Sequence, residues 1–501
     1  YYLYGALSLL DTPTEWYLGG GTLYLWTPDG ASPAAHTVEV KMRATAFVLD
    51  NCSYVTVSNL YVFAAGISMN NTLNCVVDNC HLRYVQHNTT ADWEHDVNYP
   101  ISAACTVSGN GSVWRNSSIF ISSQDGLQLN GTSAMVTNCV ISDVDYYPGS
   151  FYACLFPASG SGQKIFRNTL TRAGEGVLQG VQQGARVFPV NYEVAYNDVS
   201  WGGYFAQDVG GIYLAFHLDT QGSRIHHNWV HDMCAGNLDN GNSTGIYLDN
   251  ATTNGIVYRN VAYNNGVGIR MNSPNITNLV YNNTCLQNPL GSIATDNTSS
   301  TMAGSRVINN ICDSGLTLTS DCTANHNGRY LPVGTNFVPQ AGSGAIDGGA
   351  ILPGYTDGYV GSAPDIGAYE SGGTYWTPGA NFSIPPFPTP GSTAAPVAPT
   401  GLAAAPATNV IGVSLSWTPS PMAVSYYNVK RAGAVGGTLT NVAAVIAGTI
   451  YTDTNVAAGQ TYFYAVSAVN SSGESAADHR RASGSSHSLS SAASWRSQAR
   501  P

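Results

Sequence analysis

One short pattern recurs ten times through the first two-thirds of the chain and limits what it can fold into. It is an apolar residue, one or two variable residues, an asparagine, and then alternating apolar positions. It reads VSNLYV at Asn59, VDNCHL at Asn79, WRNSSI at Asn116, VTNCVI at Asn138, FRNTLT at Asn168 and AYNDVS at Asn197. It continues as IHHNWV at Asn228, VYRNVA at Asn260, YNNTC at Asn283 and INNIC at Asn310. The intervals run from 20 to 37 residues, so the chain returns to an equivalent point after each circuit while loops of varied length bulge out. That is solenoid behaviour, in which each coil packs only on its neighbours. An asparagine at a bend between strands donates and accepts along the stack, pairing main-chain groups that burial would otherwise orphan. The ten asparagines are therefore expected to form a structural ladder.

A second strand recurs in each coil: GLQL at 126–129, GIYL at 211–214 and 245–248, and GIRM at 268–271. Period-2 alternation sends Ile212, Ile246 and Ile269 inward with Leu214, Leu248 and Met271, and leaves Tyr213, Tyr247 and Arg270 outward in a row. An outward row of aromatic and cationic side chains is a candidate binding surface. The competing reading is that tyrosine favours exposed strand positions.

Composition agrees with an all-β chain. Charged residues make up only 10%, while 54 glycines and 30 tyrosines suit stacked strands and tight turns better than helices. The net charge of -11, from 19 basic and 30 acidic side chains, argues against nucleic acid as a partner, since phosphate binding needs clustered Lys and Arg. No apolar run approaches the roughly 20 residues that span a bilayer. The chain opens at Tyr1 with neither Met nor a signal-like segment, which reads as a mature form or a fragment. Ten cysteines show no paired C-x-x-C spacing. Cys80 and Cys139 follow ladder asparagines and read as small core residues. Cys75 with Cys80, and Cys312 with Cys322, are close enough in sequence to pair in an oxidising compartment.

After the last asparagine rung the text changes to SGAIDGGA at 343–350 and APDIGAYES at 363–371, which ends the solenoid, expected over residues 1–371. A Pro- and Gly-rich linker follows at 372–396. Residues 397–475 carry alternating strands with Trp417 and the late pair Tyr462 and Tyr464, and resemble a fibronectin type III domain. The Ser-, Ala- and Arg-rich stretch 476–501 is expected to be a disordered tail.

LSLLDTPTEWYLGGGTLYLWTPDG near the start, with DVGGIYL, IHHNWVHD, GIYLDN and PDIGAYE further on, resembles glycoside hydrolase family 141 and, more distantly, family 120. The resemblance covers roughly residues 5 to 371. It implies a right-handed single-stranded parallel β-helix of the pectin-lyase-like kind, secreted, with α-L-fucosidase or xylan-directed activity on complex plant or algal glycans and no cofactor. In such proteins the text resembling LDTPTEWYL lies well inside the chain, so an N-terminal portion is expected to be missing here.

Glycosidic hydrolysis needs two carboxyl groups, one protonated and one ionised. Those near the repeated strand are Asp125 before GLQL, Glu175 in GEGVLQ, Asp208 in QDVGGIYL and Asp249 in GIYLDN. The resemblance assigns the catalytic pair to Asp208 and Asp249. On straight, stacked strands the two would stand about 20 Å apart, so the pair needs Gly210 and Gly211 to fold Asp208 back over the groove. The alternative has Asp208 capping a turn and Asp249 making an Asx-turn. Glu175 and Asp125 are reserve candidates, and Tyr213, Tyr247, His217 and Arg270 would contact sugar.

No metal site is expected. His226, His227, His231 and Asp232 cluster in sequence, but adjacent strand residues point to opposite faces. The DNGNST stretch from Asp239 has Asn250 where a calcium loop needs glutamate. Sequons such as those at Asn88, Asn130, Asn250 and Asn297 are too common here to indicate glycosylation. Two further functions fit the same scaffold: a polysaccharide lyase, and a non-enzymatic adhesin or fibre subunit that self-associates or attaches to a cell surface.

Overall fold

The computed structural model describes residues 6–36, 38, 41, 43–86, 104–146, 153–181, 189–204, 208–215, 219–233, 243–249, 251–272, 274–387, 396–407, 412–421, 424, 426–434, 437–446, 448–457, 459–470 and 473–483. Two compact units result, one of residues 39–385 and one of residues 1–38 with 386–501. Among the described residues no helix is long and apolar enough to cross a membrane.

Unit 39–385 is a solenoid of parallel β-strands. One face is an 11-stranded sheet that begins at Thr45–Val48 and Gly66–Leu73. It runs through Gly176–Val181, Val209–Ala215, Ser243–Leu248 and Val267–Met271 to Leu316–Thr317. The other two faces join as 19 strands, because Thr56–Phe63 and Val76–Gln86 each run across both. Later coils divide there, as Val113–Arg115 and Ser118–Ser122 do. Inward side chains fill one continuous core, among them Ile67, Leu127, Leu178, Ile212, Ile246, Ile269 and Ile293.

The asparagine rungs form two ladders, one residue apart. Asn168, Asn197, Asn228, Asn260, Asn283 and Asn310 are buried and point inward. Each donates its Nδ2 to the next rung's Oδ1 at 2.8–3.0 Å, and the series ends on Asn327. Each of those acceptors also takes the preceding rung's main-chain N–H. The residue before each rung sits in the left-handed region and makes the bend. In the first coils the asparagine occupies that bend position itself: Asn59, Asn79, Asn116 and Asn138 have φ of 51–60°. They bond one another on the outside of the bend, Asn79 to Asn59 and Asn138 to Asn116 at 2.8 Å. The inward place then falls to Leu60, Cys80, Ser117 and Cys139. Asparagine tolerates the left-handed region and also satisfies buried main chain, so one residue type serves both positions.

The described cysteines are free thiols, and Cys234 lies outside the described residues. Cys75 Sγ meets the Cys52 and Leu73 carbonyls while Cys80 Sγ, beyond the bend at Asn79, meets the Val57 and Asp78 carbonyls, so the two thiols lie on different parts of the coil. Cys322 bonds the Ser305 carbonyl while Cys312 lies in the strand Ile311–Cys312, so that pair also falls on different parts of the coil.

Both ends of the solenoid differ from the sequence reading. The first described pairing is an antiparallel hairpin, Trp16–Gly19 with Thr22–Leu25, belonging to the other unit. Gly20 and Gly21, both left-handed, make its two-residue turn. At the other end, residues 343–385 pack along the solenoid. Asp365 accepts from the Asp347 and Ser371 N–H groups, the Ala368 N–H donates to Thr284 Oγ1, and the Trp229 indole donates to the Tyr369 hydroxyl. The segment expected to be a linker then runs back over earlier coils. Trp376 stacks on Tyr369, Ala380 bonds Thr169, Asn381 bonds Asn138, and Phe382 meets His81.

In the second unit, residues 400–483 form two antiparallel sheets resembling a β-sandwich. One holds Thr400–Pro406, Val413–Thr418 and Ile450–Asp453. The other holds Thr440–Ile446, Tyr426–Ala432, Thr461–Asn470 and Gly473–Ser483. Leu402, Leu415, Trp417, Val429, Tyr464 and Val466 make its core. The last strand carries residues 476–483, expected to be tail, into the sheet by pairing with Thr461–Asn470; residues 484–501 lie outside the described ones.

Candidate active site

The outward row on the 11-stranded sheet forms in register, with Tyr213 beside Tyr247 and Tyr247 beside Arg270. The two phenol rings stack at 4.8 Å and 8°, and the Arg270 guanidinium lies 5.5 Å from the Tyr247 ring centroid. The row is not the open platform expected. Tyr213 and Tyr247 are each only 2% exposed, so their faces are closed to a ligand.

The tyrosine hydroxyls meet the aspartates. Asp249 follows strand Ser243–Leu248, is 2% exposed, and accepts from Tyr213 Oη at 2.8 Å on Oδ2 and from Asn272 Nδ2 at 2.5 Å on Oδ1. Asp208 precedes strand Val209–Ala215 and is exposed. The Tyr247 hydroxyl interacts electrostatically with both carboxylates. Protein around Asp208 raises its pKa above the ordinary value despite its solvent-facing side, and the negative charge of Asp249 adds to this; Arg270 and the Tyr247 hydroxyl pull the other way. Burial, then the two aspartates, also push the Tyr213 and Tyr247 phenols far up, so both remain protonated donors.

The structure thus brings together Asp208, Asp249, Tyr213, Tyr247 and Arg270, which straight-strand geometry would hold apart. The double glycine contributes differently from the expectation. Neither Gly210 nor Gly211 adopts a left-handed conformation. A Cβ on Gly210 would come within 3.0 Å of the Tyr213 and Tyr247 Cβ atoms, and one on Gly211 would come within 2.4 Å of Val230 Cγ1. They supply room for the tyrosine stack outside and the core inside. Asn272, the next residue after strand Val267–Met271, was not foreseen; its only sequence signal is that it ends the GIRM strand, one coil after the end of GIYLDN.

Glu175 and Asp125 do not join this group. They lie on the same edge of the sheet, in earlier coils, with Asp125 0% and Glu175 7% exposed. Asp125 Oδ1 accepts the Ala153 N–H at 2.8 Å. With them is Asp145, also missed in the sequence and 1% exposed. Burial, then the charges of Glu175 and Asp125, raise its pKa well above the ordinary value. His217 and Asn250 lie outside the described residues.

His226 and His227 do not diverge to opposite faces as adjacent strand residues would. His227 is left-handed at φ 55°, so the chain bends between His226 and His227 and their Nδ1 atoms come within 2.7 Å. His226 also bonds Glu193, and His231 lies between Asp198 and Asp232 at 2.9 and 2.6 Å. Among the described residues no group of three His, Cys, Asp or Glu is arranged to hold a metal ion.

No family model matches the chain, and no curated protein matches it. Among solved structures, a Fn3-like protein from Clostridium thermocellum is 39% identical over 18% of this chain and 92% of its own, with a TM-score of 0.17. A pectate lyase is 15% identical over 63% of this chain and 82% of its own, with a TM-score of 0.34. The A-module of a mannuronan C-5 epimerase from Azotobacter vinelandii is 11% identical over 55% and 65%, with a TM-score of 0.25. Unit 39–385 is a parallel β-solenoid.

Proposed function

We propose that the chain is a secreted glycoside hydrolase acting on a complex plant or algal polysaccharide, fucosidase-like or xylan-directed, as the resemblance to family 141 implies. In this reading the solenoid is a right-handed β-helix and the C-terminal sandwich a fibronectin type III module. One observation supports it most: an exposed carboxyl, Asp208, whose pKa is raised, stands with a buried carboxyl, Asp249, that has a donor on each oxygen. Two carboxyls with such unlike environments are what acid and base roles require. Asp208 gives its proton to the glycosidic oxygen as the C–O bond breaks. Asp249 either takes a proton from the attacking water or bonds the anomeric carbon before water releases it. The test is a screen of purified protein against fucosylated and xylan-type glycans, repeated with Asp208→Asn and Asp249→Asn. Loss of cleavage in both variants is expected, and full activity in both would move the chemistry elsewhere.

A second reading, polysaccharide lyase, draws on Arg270, whose guanidinium lies 5.5 Å from the Tyr247 ring centroid, a cation suited to a uronate carboxylate. It predicts an unsaturated, ultraviolet-absorbing product, whereas hydrolysis yields a saturated sugar at each new end.

A further inference from the structure

Asp249 is held from both neighbouring coils. Tyr213, one coil before, donates to Oδ2 at 2.8 Å, and Asn272, one coil after, donates to Oδ1 at 2.5 Å. The position of Asn272 is itself fixed by main chain. Its N–H donates to the Leu248 carbonyl at 2.9 Å, one step past the end of strand Val267–Met271. The buried Asn275 amide donates to the same carbonyl at 2.9 Å and to the Asn272 carbonyl at 3.4 Å, closing the turn beneath it. With its backbone set this way, the Asn272 amide also lies 3.4 Å from Tyr247 Oη.

An amide N–H donates at every pH and cannot take up a proton. Donors on both oxygens of a carboxylate restrict its rotation. We infer that Asn272 is a positioning residue: it fixes the orientation of the Asp249 carboxylate so that this group receives while Asp208 gives. The inference rests on the reading of Asp249 as the receiving carboxylate.

Asn272→Ala tests it on the full chain. On a glycan that the wild type cleaves, kcat should fall about 10- to 100-fold, the scale of a lost hydrogen bond to a charged group, with KM within about twofold. Asn272→Ser, which keeps a short donor, should recover part of the loss. A merely structural role would lower thermal stability and active fraction without lowering kcat per active molecule, and an unchanged kcat overturns the inference. A crystal structure of Asn272→Ala gives a readout independent of turnover. The inference expects the Asp249 carboxylate to rotate or split between rotamers, and an Asp249 unmoved against Tyr213 overturns it. Should Asp249→Asn keep full activity while Asn272→Ala still displaces the Asp249 carboxylate, the catalytic reading fails and the hold on Asp249 stands.

Discussion

Two groups of carboxyls lie along one sheet of the solenoid, and they differ in access and in partners. Asp208 and Asp249 stand at a surface, one exposed and one buried, with phenol, amide and guanidinium groups around them. Asp125, Asp145 and Glu175, in earlier coils, are all sealed. In both places a carboxyl is pushed toward its protonated form. In the first, its proton faces solvent and a ligand can reach it. In the second, no ligand can, so the raised pKa bears on folding and not on turnover. A perturbed carboxyl marks a candidate site only together with access.

The largest test of that contrast is activity. Asp208→Asn and Asp249→Asn should each lower kcat/KM by about 10²- to 10⁴-fold, the range for loss of a general acid or base. Asp125→Asn and Glu175→Gln should stay within about threefold of wild type. Steady-state kinetics on one glycan reads all four. Next, Tyr213→Phe removes one donor from Asp249 and should lower kcat about 10-fold with little change in KM. A smaller effect concerns Arg270. Its charge lowers the Asp208 pKa, and a general acid is lost as pH rises through its pKa, so Arg270→Met should move the basic limb of the profile to higher pH. The smallest belongs to the sealed group. Asp145 holds its proton in the folded state at pH values where the unfolded chain has lost it, so it contributes stability that declines as pH rises from the unfolded carboxylate range through the folded pKa. Asp145→Asn should make the fall in Tm between pH 5 and 8 shallower. A steeper fall would break the contrast.

The coil architecture was legible because the same asparagine recurs at each bend. The one-residue shift between the outer and inner ladders was not, since asparagine suits a left-handed bend and a buried rung equally well. The outward direction of Tyr213, Tyr247 and Arg270 followed from period-2 alternation. The burial of the tyrosines did not, because it depends on groups folded over them from neighbouring coils. Asp208 and Asp249 were both named as candidates, yet straight-strand extrapolation kept them apart, as it ignored the reach of the tyrosine hydroxyls and the turn after Leu248. The same extrapolation separated His226 from His227, where a left-handed residue bends the chain between them. Asp145 passed unnoticed because its carboxyl matters only through Asp125 and Glu175, which belong to other coils.

The most direct test sets Asp208→Asn against Glu175→Gln on the same polysaccharide, since the two residues lie on one edge of the sheet and in adjacent coils. The account predicts a loss in kcat/KM of at least about 100-fold for the first and no more than about threefold for the second. Equal losses, or a larger loss for Glu175→Gln, would contradict it.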